Sequence, residues 1–243
     1  MLKPSIIEAY SLEDFYFQTI YEAVKTGQEI TINKPDVDDT MRWQLDFLFG
    51  HIKCPGSKPL LPQMPEGLSI PNPVDENYIN NNLQYYMTDI INPNEEYTYG
   101  QFLSWQIEWC IEHYKKYPTT RHCYMQVGKP EMLYYYDLTP PEHTPCLRGV
   151  DTFIKNESLG FHIHFRSWNI WSAMPANLAC LQLVKEYMAD EIGVQDGEIF
   201  VTCAKAGLSS DVFQLAQERT HLNRNNEYLK IVSKLKKSKG NGN

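Results

Sequence analysis

A single cysteine follows a proline-rich loop, and the residues after it carry side chains that could support nucleophilic chemistry. Pro145-Cys146 precedes two alternating segments joined by a polar turn, then Arg166-Ser167, and Asn177 stands near the start of a long apolar segment. A cysteine attacks as its thiolate, which a neighbouring guanidinium stabilises. The same guanidinium can hold a phosphate through two parallel hydrogen bonds. Any chemistry that this chain performs is therefore expected in this stretch.

The elements that must position these residues follow from hydrophobic periodicity and turn residues. Arg148 to Ile154 and Leu159 to Phe165 alternate and predict a hairpin, and Met174 to Ile192 predicts the longest helix, ended by Gly193. Upstream, the pattern predicts helices at Leu12 to Val24, Met41 to Phe49, about Tyr78 to Met87 and Gln101 to Tyr117, and strands at Ile30 to Ile32 and Cys123 to Val127. Downstream, it predicts a strand at Ile199 to Cys203 and helices at Ser210 to Glu218 and Asn223 to Leu235.

This mixture of strands and packed helices predicts an α+β fold. We expect one domain over residues 1–243, with an irregular, proline-rich excursion at about 52–94 and a disordered tail at 236–243. An excursion of that length is either a pocket wall or lid, or plain surface decoration.

The composition excludes several classes of function. The chain has 243 residues and a net charge of -8, which argues against duplex nucleic acid as the main partner. A basic stretch near the end, Lys234 to Lys239, fits a solvated terminus better than a nucleic-acid contact. The six cysteines form no C-x-x-C pair, and His162 and His164 lack a third ligand, so no metal is expected. With no signal peptide or membrane span in the sequence, we expect a cytoplasmic protein with free thiols and no membrane partner.

Several short motifs, taken in order, resemble those of thymidylate synthase. Pro145-Cys146, Phe165-Arg166-Ser167 and the Pro-x-Asn that ends at Asn177 stand in the family's order, and so do Tyr97-Thr98-Tyr99-Gly100 and Pro118-Thr119-Thr120-Arg121. The resemblance extends from Tyr97 to Gln217 and is strongest to short, archaeal-like members. It implies a mixed β-sheet packed by helices, with two copies joined sheet to sheet.

The resemblance also implies a reaction. Cys146 would add to carbon 6 of a pyrimidine nucleotide, dUMP or a related uracil nucleotide, and carbon 5 would take a one-carbon unit from 5,10-methylenetetrahydrofolate. Arg166 would stabilise the thiolate and, with Ser167, hold the phosphate. Asn177 would read a uracil through both sides of its amide. Tyr99 matches a tyrosine that helps proton transfer near carbon 5.

A second set of roles depends on dimerisation and on the folate. In the family, a pair of phosphate-binding arginines comes from the partner subunit; Arg121 matches one, and His122 stands where the second often lies. A homodimer with shared sites is therefore implied. The folate contacts fall on Asn169 and Ala173.

The sequence departs from the family pattern in places that leave the reaction open. Asn169 replaces an aspartate that contacts the pterin, Ala206-Gly207-Leu208-Ser209 replaces a His-x-Tyr pair that holds the ribose, and Lys205 replaces an acidic residue. The last residues are Lys, Gly and Asn instead of a short apolar segment, which would admit water to the site. The alternatives are a hydroxymethylase acting on CMP, dCMP or UMP, and a non-catalytic nucleotide-binding homologue.

Each residue also has an ordinary structural interpretation. Cys146 could be a small buried hydrophobe, Arg166 a surface ion-pair residue, Asn177 a helix-start residue and Arg121 an exposed strand end. Their joint occurrence in the order of the family favours the functional interpretation.

Overall fold

The computed structural model of the chain describes residues 2–34, 37–75, 77–91, 95–135 and 143–222. The helix predicted at Asn223 to Leu235 and the tail at 236–243 lie outside the described residues.

The described chain contains ten strands and seven helices. The strands are β1 (Pro4–Ala9), β2 (Gln28–Lys34), β3 (Val37–Gln44), β4 (Phe47–Ile52), β5 (Tyr124–Gln126), β6 (Leu147–Lys155), β7 (Ser158–Phe165), β8 (Trp168–Asn169), β9 (Gln195–Cys203) and β10 (Ala206–Ser209). The helices are α1 (Leu12–Thr26), α2 (Tyr78–Asn82), α3 (Gln84–Met87), α4 (Gly100–Lys116), α5 (Met132–Tyr135), α6 (Ala173–Ile192) and α7 (Ser210–Thr220).

Two sheets organise the fold. The larger has six strands in the order β1-β4-β9-β7-β6-β5, with β1–β4 and β7–β9 parallel and the other pairs antiparallel. The smaller has four strands in the order β2-β3-β10-β8. The predicted α+β class with a mixed, helix-packed sheet is confirmed.

Helices α1, α4 and α6 cover one face of the large sheet. Helix α1 begins as predicted, with the Ser11 side chain accepting from the Asp14 N–H at 3.2 Å. Helix α6 is apolar on most of its circumference, which suits a helix buried on several sides. It ends at Gly193, whose φ of +84° is the left-handed conformation that favours glycine. The buried position of α6 fixes where Asn177, in its first turn, enters the interior.

The other face of the large sheet carries aromatic side chains that are half-buried or exposed. Phe200 stacks on His51 with ring centroids 4.5 Å apart and lies 6.3 Å from Phe49 and 6.2 Å from Phe153. On the edge strand β5, Tyr124 is 50% exposed. We call this set (Phe49, His51, Phe153, Phe200 and Tyr124) the aromatic face.

The helix predicted at Met41 to Phe49 is wrong, because this segment forms β3 and β4. Met41, Leu45 and Leu48 have helical spacing, but Trp43 pairs with Leu208 of β10, and Leu48 pairs with Cys203 of β9. Pairing with strands far along the chain outweighs the local periodicity. Strands β1, β8 and β10 were not predicted, since short strands carry little periodic signal.

The proline-rich excursion supplies part of a pocket wall. Its predicted helix at about Tyr78 to Met87 forms as two short helices, α2 and α3, which meet at Leu83. These helices pack on α4 and α6. Within the described ranges, we find no helix whose length and apolar character would suit a membrane crossing.

Candidate active site

The hairpin formed by β6 and β7 brings Cys146 and Arg166 together. The Arg166 N–H donates to the Cys146 carbonyl at 2.9 Å, closing the open end of the hairpin. The guanidinium turns back over the loop before the cysteine, donating from Nε to the Pro145 carbonyl at 3.1 Å and from Nη2 to the Thr144 carbonyl at 2.7 Å. Arg166 therefore holds the loop that presents the thiol.

Ser167 links the thiol to the guanidinium. Its Oγ lies 3.5 Å from the Cys146 Sγ and accepts from the Arg166 Nη1 at 3.4 Å. These bonds occupy three of the five N–H groups of the arginine, so the rest can bind an anion. The predicted grouping of Cys146, Arg166 and Ser167 is present.

Cys146 differs from the buried cysteines of the core. It is half-buried, whereas Cys180 and Cys203 are fully buried. Burial raises the pKa of Cys180 and of Cys203 to about 12, which keeps both as neutral thiols. Cys146 instead combines partial exposure with the neighbouring Ser167 hydroxyl and Arg166 guanidinium.

Two tyrosines from the segment before α4 flank the cysteine. The Tyr97 side chain lies near the Cys146 backbone, and the Tyr99 side chain lies near the Leu147 backbone. Burial raises the pKa of Tyr97 to about 12, and it also raises the pKa of Tyr99 above its usual range. Both phenols therefore stay protonated at neutral pH and can donate.

A cavity of about 350 Å³ adjoins these tyrosines. Asn177 lines it, as do the two tyrosines, residues from α2 and α3, and two glutamates. The full lining is Tyr78, Asn82, Tyr85, Tyr86, Glu95, Glu96, Tyr97, Thr98, Tyr99, His143 and Asn177. None of these described lining residues is a lysine or an arginine, and tyrosine rings dominate the wall, so the cavity suits a flat polar ring. Arg166 lies outside the lining, near Tyr97.

Asn177 is buried, with 8% of its surface exposed, and both ends of its amide are engaged. Its Oδ1 accepts from the Trp168 indole Nε1 at 2.9 Å, and its Nδ2 donates to the Tyr86 hydroxyl at 2.7 Å. Each end keeps one further hydrogen-bonding position. Asn177 is thus a buried amide at the cavity wall, near the start of α6, with a hydrogen-bonding position left at each end.

Arg121 and His122 lie away from this group within one chain. Both are exposed, just before β5, whose Tyr124 pairs with Asp151 of β6. At about 3.3 Å per residue, this register puts them on the order of 20 Å along β6 from Cys146. Their predicted role therefore requires a second subunit.

Comparison with known proteins identifies the family. The model of the thymidylate synthase family matches residues 90–239, more than half of the chain. The chain belongs to the thymidylate synthase family. It is a divergent, archaeal-like member.

Three archaeal relatives, all described provisionally as thymidylate synthases, show the extent of the likeness. A protein of Methanosarcina mazei is 33% identical over 137 residues, covering 52% of this chain and 61% of the relative. One of Methanococcoides burtonii is 31% identical over 137 residues, with the same coverage of 52% and 61%. One of Methanopyrus kandleri is 23% identical over 215 residues, covering 84% of this chain and 92% of the relative. The chain thus matches less than two thirds of the first two relatives.

The two residues expected to contact folate lie where α6 begins. The Asn169 Oδ1 accepts from the Trp171 N–H at 2.9 Å and from the Ser172 N–H at 3.3 Å, so it supports the turn into the helix. Only its amide N–H groups are left for a ligand, whereas the family's aspartate would offer acceptors. Ala173 is the first residue of α6 and is partly buried. Folate contacts at these two positions stay a prediction.

The segment that replaces the family's ribose-binding pair is strand β10. Leu208 and Ala206 are fully buried there, and the Gly207 carbonyl accepts from the Ile170 N–H at 3.0 Å. The segment therefore joins the two flanking strands, β3 and β8, and its side chains face the interior. It connects the small sheet to the turn that carries Asn169.

The sequence did not identify several residues of the site. Tyr86 and Trp168 bind the Asn177 amide, and Glu95, Glu96 and His143 line the cavity. Glu96 accepts from the His143 N–H at 2.6 Å, which ties the segment before Tyr97 to the loop before Cys146. The available signals were the Glu95-Glu96 pair directly before the tyrosine motif and the clustering of tyrosines in the excursion.

His162 and His164 form hydrogen bonds between neighbouring strands of the large sheet. Both imidazoles hydrogen-bond the Thr202 hydroxyl, at 3.1 Å and 3.0 Å. Burial lowers the pKa of His164, so its ring stays neutral at physiological pH. The two rings therefore connect β7 to β9 in this structure.

Proposed function

We propose that this protein transfers a one-carbon unit to carbon 5 of a uracil nucleotide, dUMP or a close relative, through a covalent adduct with Cys146. The observation that carries the proposal is the placement of a half-buried thiol, hydrogen-bonded to Ser167 and beside Arg166, next to a cavity whose wall holds the Asn177 amide. Family membership supports a C1-transferase.

The chain supplies a group for each step on the pyrimidine. The Cys146 Sγ forms a bond to carbon 6, and electron density moves to carbon 5 and the 4-oxygen. Arg166 and Ser167 bind the phosphate through the donors left by the loop. After carbon 5 takes the one-carbon unit it must lose its proton to water. Tyr99 is neutral, because burial raises its pKa, and it is the candidate to relay that proton, its oxygen accepting one proton while its O–H passes its own on to water. Release of the thiolate from carbon 6 restores the ring.

The cavity composition is compatible with a folate. When bound, 5,10-methylenetetrahydrofolate supplies the one-carbon unit and, for a methyl product, the hydride that reduces it. Tyrosine rings and the carboxylates of Glu95 and Glu96 suit a flat ring rich in N–H donors. We propose that these carboxylates, with Ala173 and the amide N–H groups of Asn169, hold that ring. Asn169 contributes donors alone, since its oxygen is engaged.

Hydroxymethyl transfer by the same site is the second candidate. Glu95 and Glu96 are exposed, and they give the cavity a polar, hydrated mouth. Water there would compete with hydride for the activated one-carbon unit, which would yield a hydroxymethyl group on UMP, CMP or dCMP.

The product mixture tests the reaction directly. The protein is incubated with 5,10-methylenetetrahydrofolate and with one nucleotide at a time, dUMP, UMP, dCMP or CMP. We expect it to modify the uracil nucleotides in preference to the cytosine nucleotides. Mass spectrometry of the nucleotides distinguishes the gain of a methyl from the gain of a hydroxymethyl group. If no nucleotide gains either group, and tritium is not released from carbon 5, the transferase proposal is wrong and a non-catalytic nucleotide-binding homologue is favoured.

We further propose that two copies associate through the aromatic face, so that Arg121 and His122 of each subunit reach the phosphate of the other. The exposure of Ile6 (67%) and Tyr124 (50%) on the large sheet, and the clustering of phenylalanines around Phe200, support an interface there. The separation of Arg121 from Cys146 within one chain supports a site completed by the partner.

Replacing Phe200 with aspartate should therefore convert a dimer into a monomer. A carboxylate at this position would be buried between two sheets, and the neighbouring His51 is already bound to Glu198 at 2.8 Å, so the uncompensated charge costs on the order of 3–5 kcal/mol. Sedimentation equilibrium should give twice 28.3 kDa for the wild type and 28.3 kDa for the variant. Leu68→Asp, which changes an exposed apolar residue outside the sheet, should stay dimeric. A monomeric, fully active wild type would contradict the dimer.

Subunit mixing tests the shared site. Cys146→Ala and Arg121→Ala homodimers should each be inactive, but random mixing should restore about a quarter of wild-type activity, since half of the dimers then contain one intact site. If the mixture of the two variants is dimeric but regains no activity, Arg121 does not belong to the partner's site.

We also propose that residues 1–243 form one domain that works in a reducing cytoplasm. A continuous cluster of buried apolar residues that joins both sheets to the helices supports the first point. The presence of six free cysteines, four of them buried, supports the second.

A further inference from the structure

Three buried side chains form a continuous hydrogen-bond chain at the cavity wall. The Trp168 Nε1–H donates to the Asn177 Oδ1 at 2.9 Å, and the Asn177 Nδ2–H donates to the Tyr86 hydroxyl at 2.7 Å. Trp168 and Tyr86 are 1% and 3% exposed. This hydrogen-bond chain joins β8 and the neighbouring helix α6 to α3, which lies far earlier in the sequence.

The indole fixes the orientation of the amide. An indole N–H is a donor alone, so it requires the oxygen of Asn177 on its side and leaves the nitrogen facing Tyr86. The ring of Trp168 cannot turn away, because it stacks on Phe165 with centroids 4.1 Å apart and an interplanar angle of 12°. Its backbone N–H is also bound, to the Lys205 carbonyl at 3.0 Å. The Asn177 amide is therefore held in one of its two possible orientations.

The fixed orientation of the Asn177 amide also fixes which way the Tyr86 hydroxyl donates at the cavity. The Tyr86 oxygen accepts from Asn177, and the hydrogen bonds of the described residues include no acceptor for its own proton. Burial raises the pKa of Tyr86 well above its usual range, so the proton is present at every physiological pH. Tyr86 lines the cavity beside Asn177. A buried phenol proton without an acceptor is expected to bond a ligand.

We propose that Trp168, Asn177 and Tyr86 form a directional relay that makes the site select a 4-oxo pyrimidine over a 4-amino pyrimidine. This inference rests on the proposed function, since it assumes that the base enters this cavity. Tyr86 contacts the 4-oxygen, and Trp168 is a positioning residue that acts through Asn177.

The selectivity follows from the edges of the two bases. A uracil presents a carbonyl acceptor at position 4 and an N–H donor at position 3, whereas a cytosine presents the reverse. The Tyr86 O–H can donate to the 4-carbonyl of a uracil. On a cytosine it would face the two N–H groups of the 4-amino group, which are also donors. An amide free to turn could match either base, but the indole prevents that turn.

Direct binding of dUMP and dCMP, measured by isothermal titration calorimetry, tests the relay. We expect the wild type to bind dUMP at least about tenfold more tightly than dCMP. Tyr86→Phe should weaken dUMP while leaving dCMP unchanged, so that the ratio approaches one. Trp168→Phe should also lower the ratio, because the amide can then turn. Tyr114→Phe removes a buried phenol that bonds Thr152 far from the cavity, and it should leave the ratio unchanged.

A ligand variant gives the same information without a mutation. The deoxynucleotide of 2-pyrimidinone lacks the 4-oxygen and the N3–H of dUMP, and it should bind the wild type at least about tenfold more weakly than dUMP. In Tyr86→Phe the part of this difference that comes from the 4-oxygen should disappear, so the ratio of the two affinities should fall. Equal affinities in the wild type would overturn the proposal even if the variants fail to fold.

Other outcomes are also decisive. If Tyr86→Phe weakens the binding of dUMP and dCMP equally, or weakens neither, the relay is overturned. Nucleotide binding by the wild type would still support the proposed function in that case. If the wild type binds none of these nucleotides, the proposed function and the relay fail together.

Discussion

Replacing Cys146 with alanine should abolish turnover and prevent covalent capture of a 5-fluoro-pyrimidine nucleotide. The thiol is the half-buried nucleophile that Ser167 contacts at 3.5 Å, and without its sulfur no bond to carbon 6 can form. Losses on removal of a covalent nucleophile are on the order of 10⁴-fold or more in kcat. Intact-protein mass spectrometry after incubation with 5-fluoro-dUMP and 5,10-methylenetetrahydrofolate should show an adduct on the wild type and none on the variant.

Cys54→Ala is the matched control for this experiment. Cys54 is also partly exposed, but it lies at the end of β4, outside the cavity and the loop held by Arg166. The control should form the adduct as the wild type does. An adduct that persists in Cys146→Ala, or disappears in Cys54→Ala, would assign the nucleophile to a different thiol.

The same variant separates catalysis from binding. Cys146→Ala should still bind dUMP, because the phosphate and base contacts come from other residues. Unchanged nucleotide binding, together with a wild type that forms no adduct and turns over no substrate, would identify a non-catalytic homologue.

Replacing Arg166 with alanine should have the second largest effect, lowering kcat/KM for the nucleotide by about 10³-fold. Charged hydrogen bonds are worth about 1.5–3 kcal/mol each, and the variant loses the bonds to the Thr144 and Pro145 carbonyls as well as those to phosphate. The loop that presents Cys146 would lose its anchor at the same time. Steady-state kinetics with dUMP measures the combined loss.

Comparison of a nucleotide with its nucleoside separates the two roles of Arg166. If the guanidinium binds phosphate, Arg166→Ala should weaken binding of dUMP strongly and binding of deoxyuridine little. If it anchors the loop alone, both should weaken by the same factor, and the phosphate role would be rejected. Arg166→Lys keeps the charge but cannot bridge both carbonyls with a planar fork, so it should recover only part of the nucleotide affinity.

The hairpin of β6 and β7 explains why part of this site could be predicted from the sequence. Alternation over Arg148 to Ile154 and Leu159 to Phe165 predicts two antiparallel strands, and such a hairpin necessarily returns Arg166 to the level of Cys146. The hydrogen bond from the Arg166 N–H to the Cys146 carbonyl shows that the two residues are at the same level. Local pattern was sufficient because both residues belong to one supersecondary unit.

The wrong prediction at Met41 to Phe49 shows where distant segments decide the structure. This segment has helical spacing, yet pairing with β9 and β10 makes it two strands. That pairing depends on three-dimensional placement, and it outweighs the preference of the isolated segment.

The order of residue types along the chain was therefore enough to predict the α+β class, the family, and the proximity of Cys146, Arg166 and Ser167. It could not predict which groups surround Asn177. Trp168 precedes Asn177 by nine residues and Tyr86 precedes it by ninety-one, and no periodicity encodes the hydrogen bonds that join them. Such contacts arise when β8, α6 and α3 pack together, because burial obliges each polar group to find a partner wherever the fold brings one near.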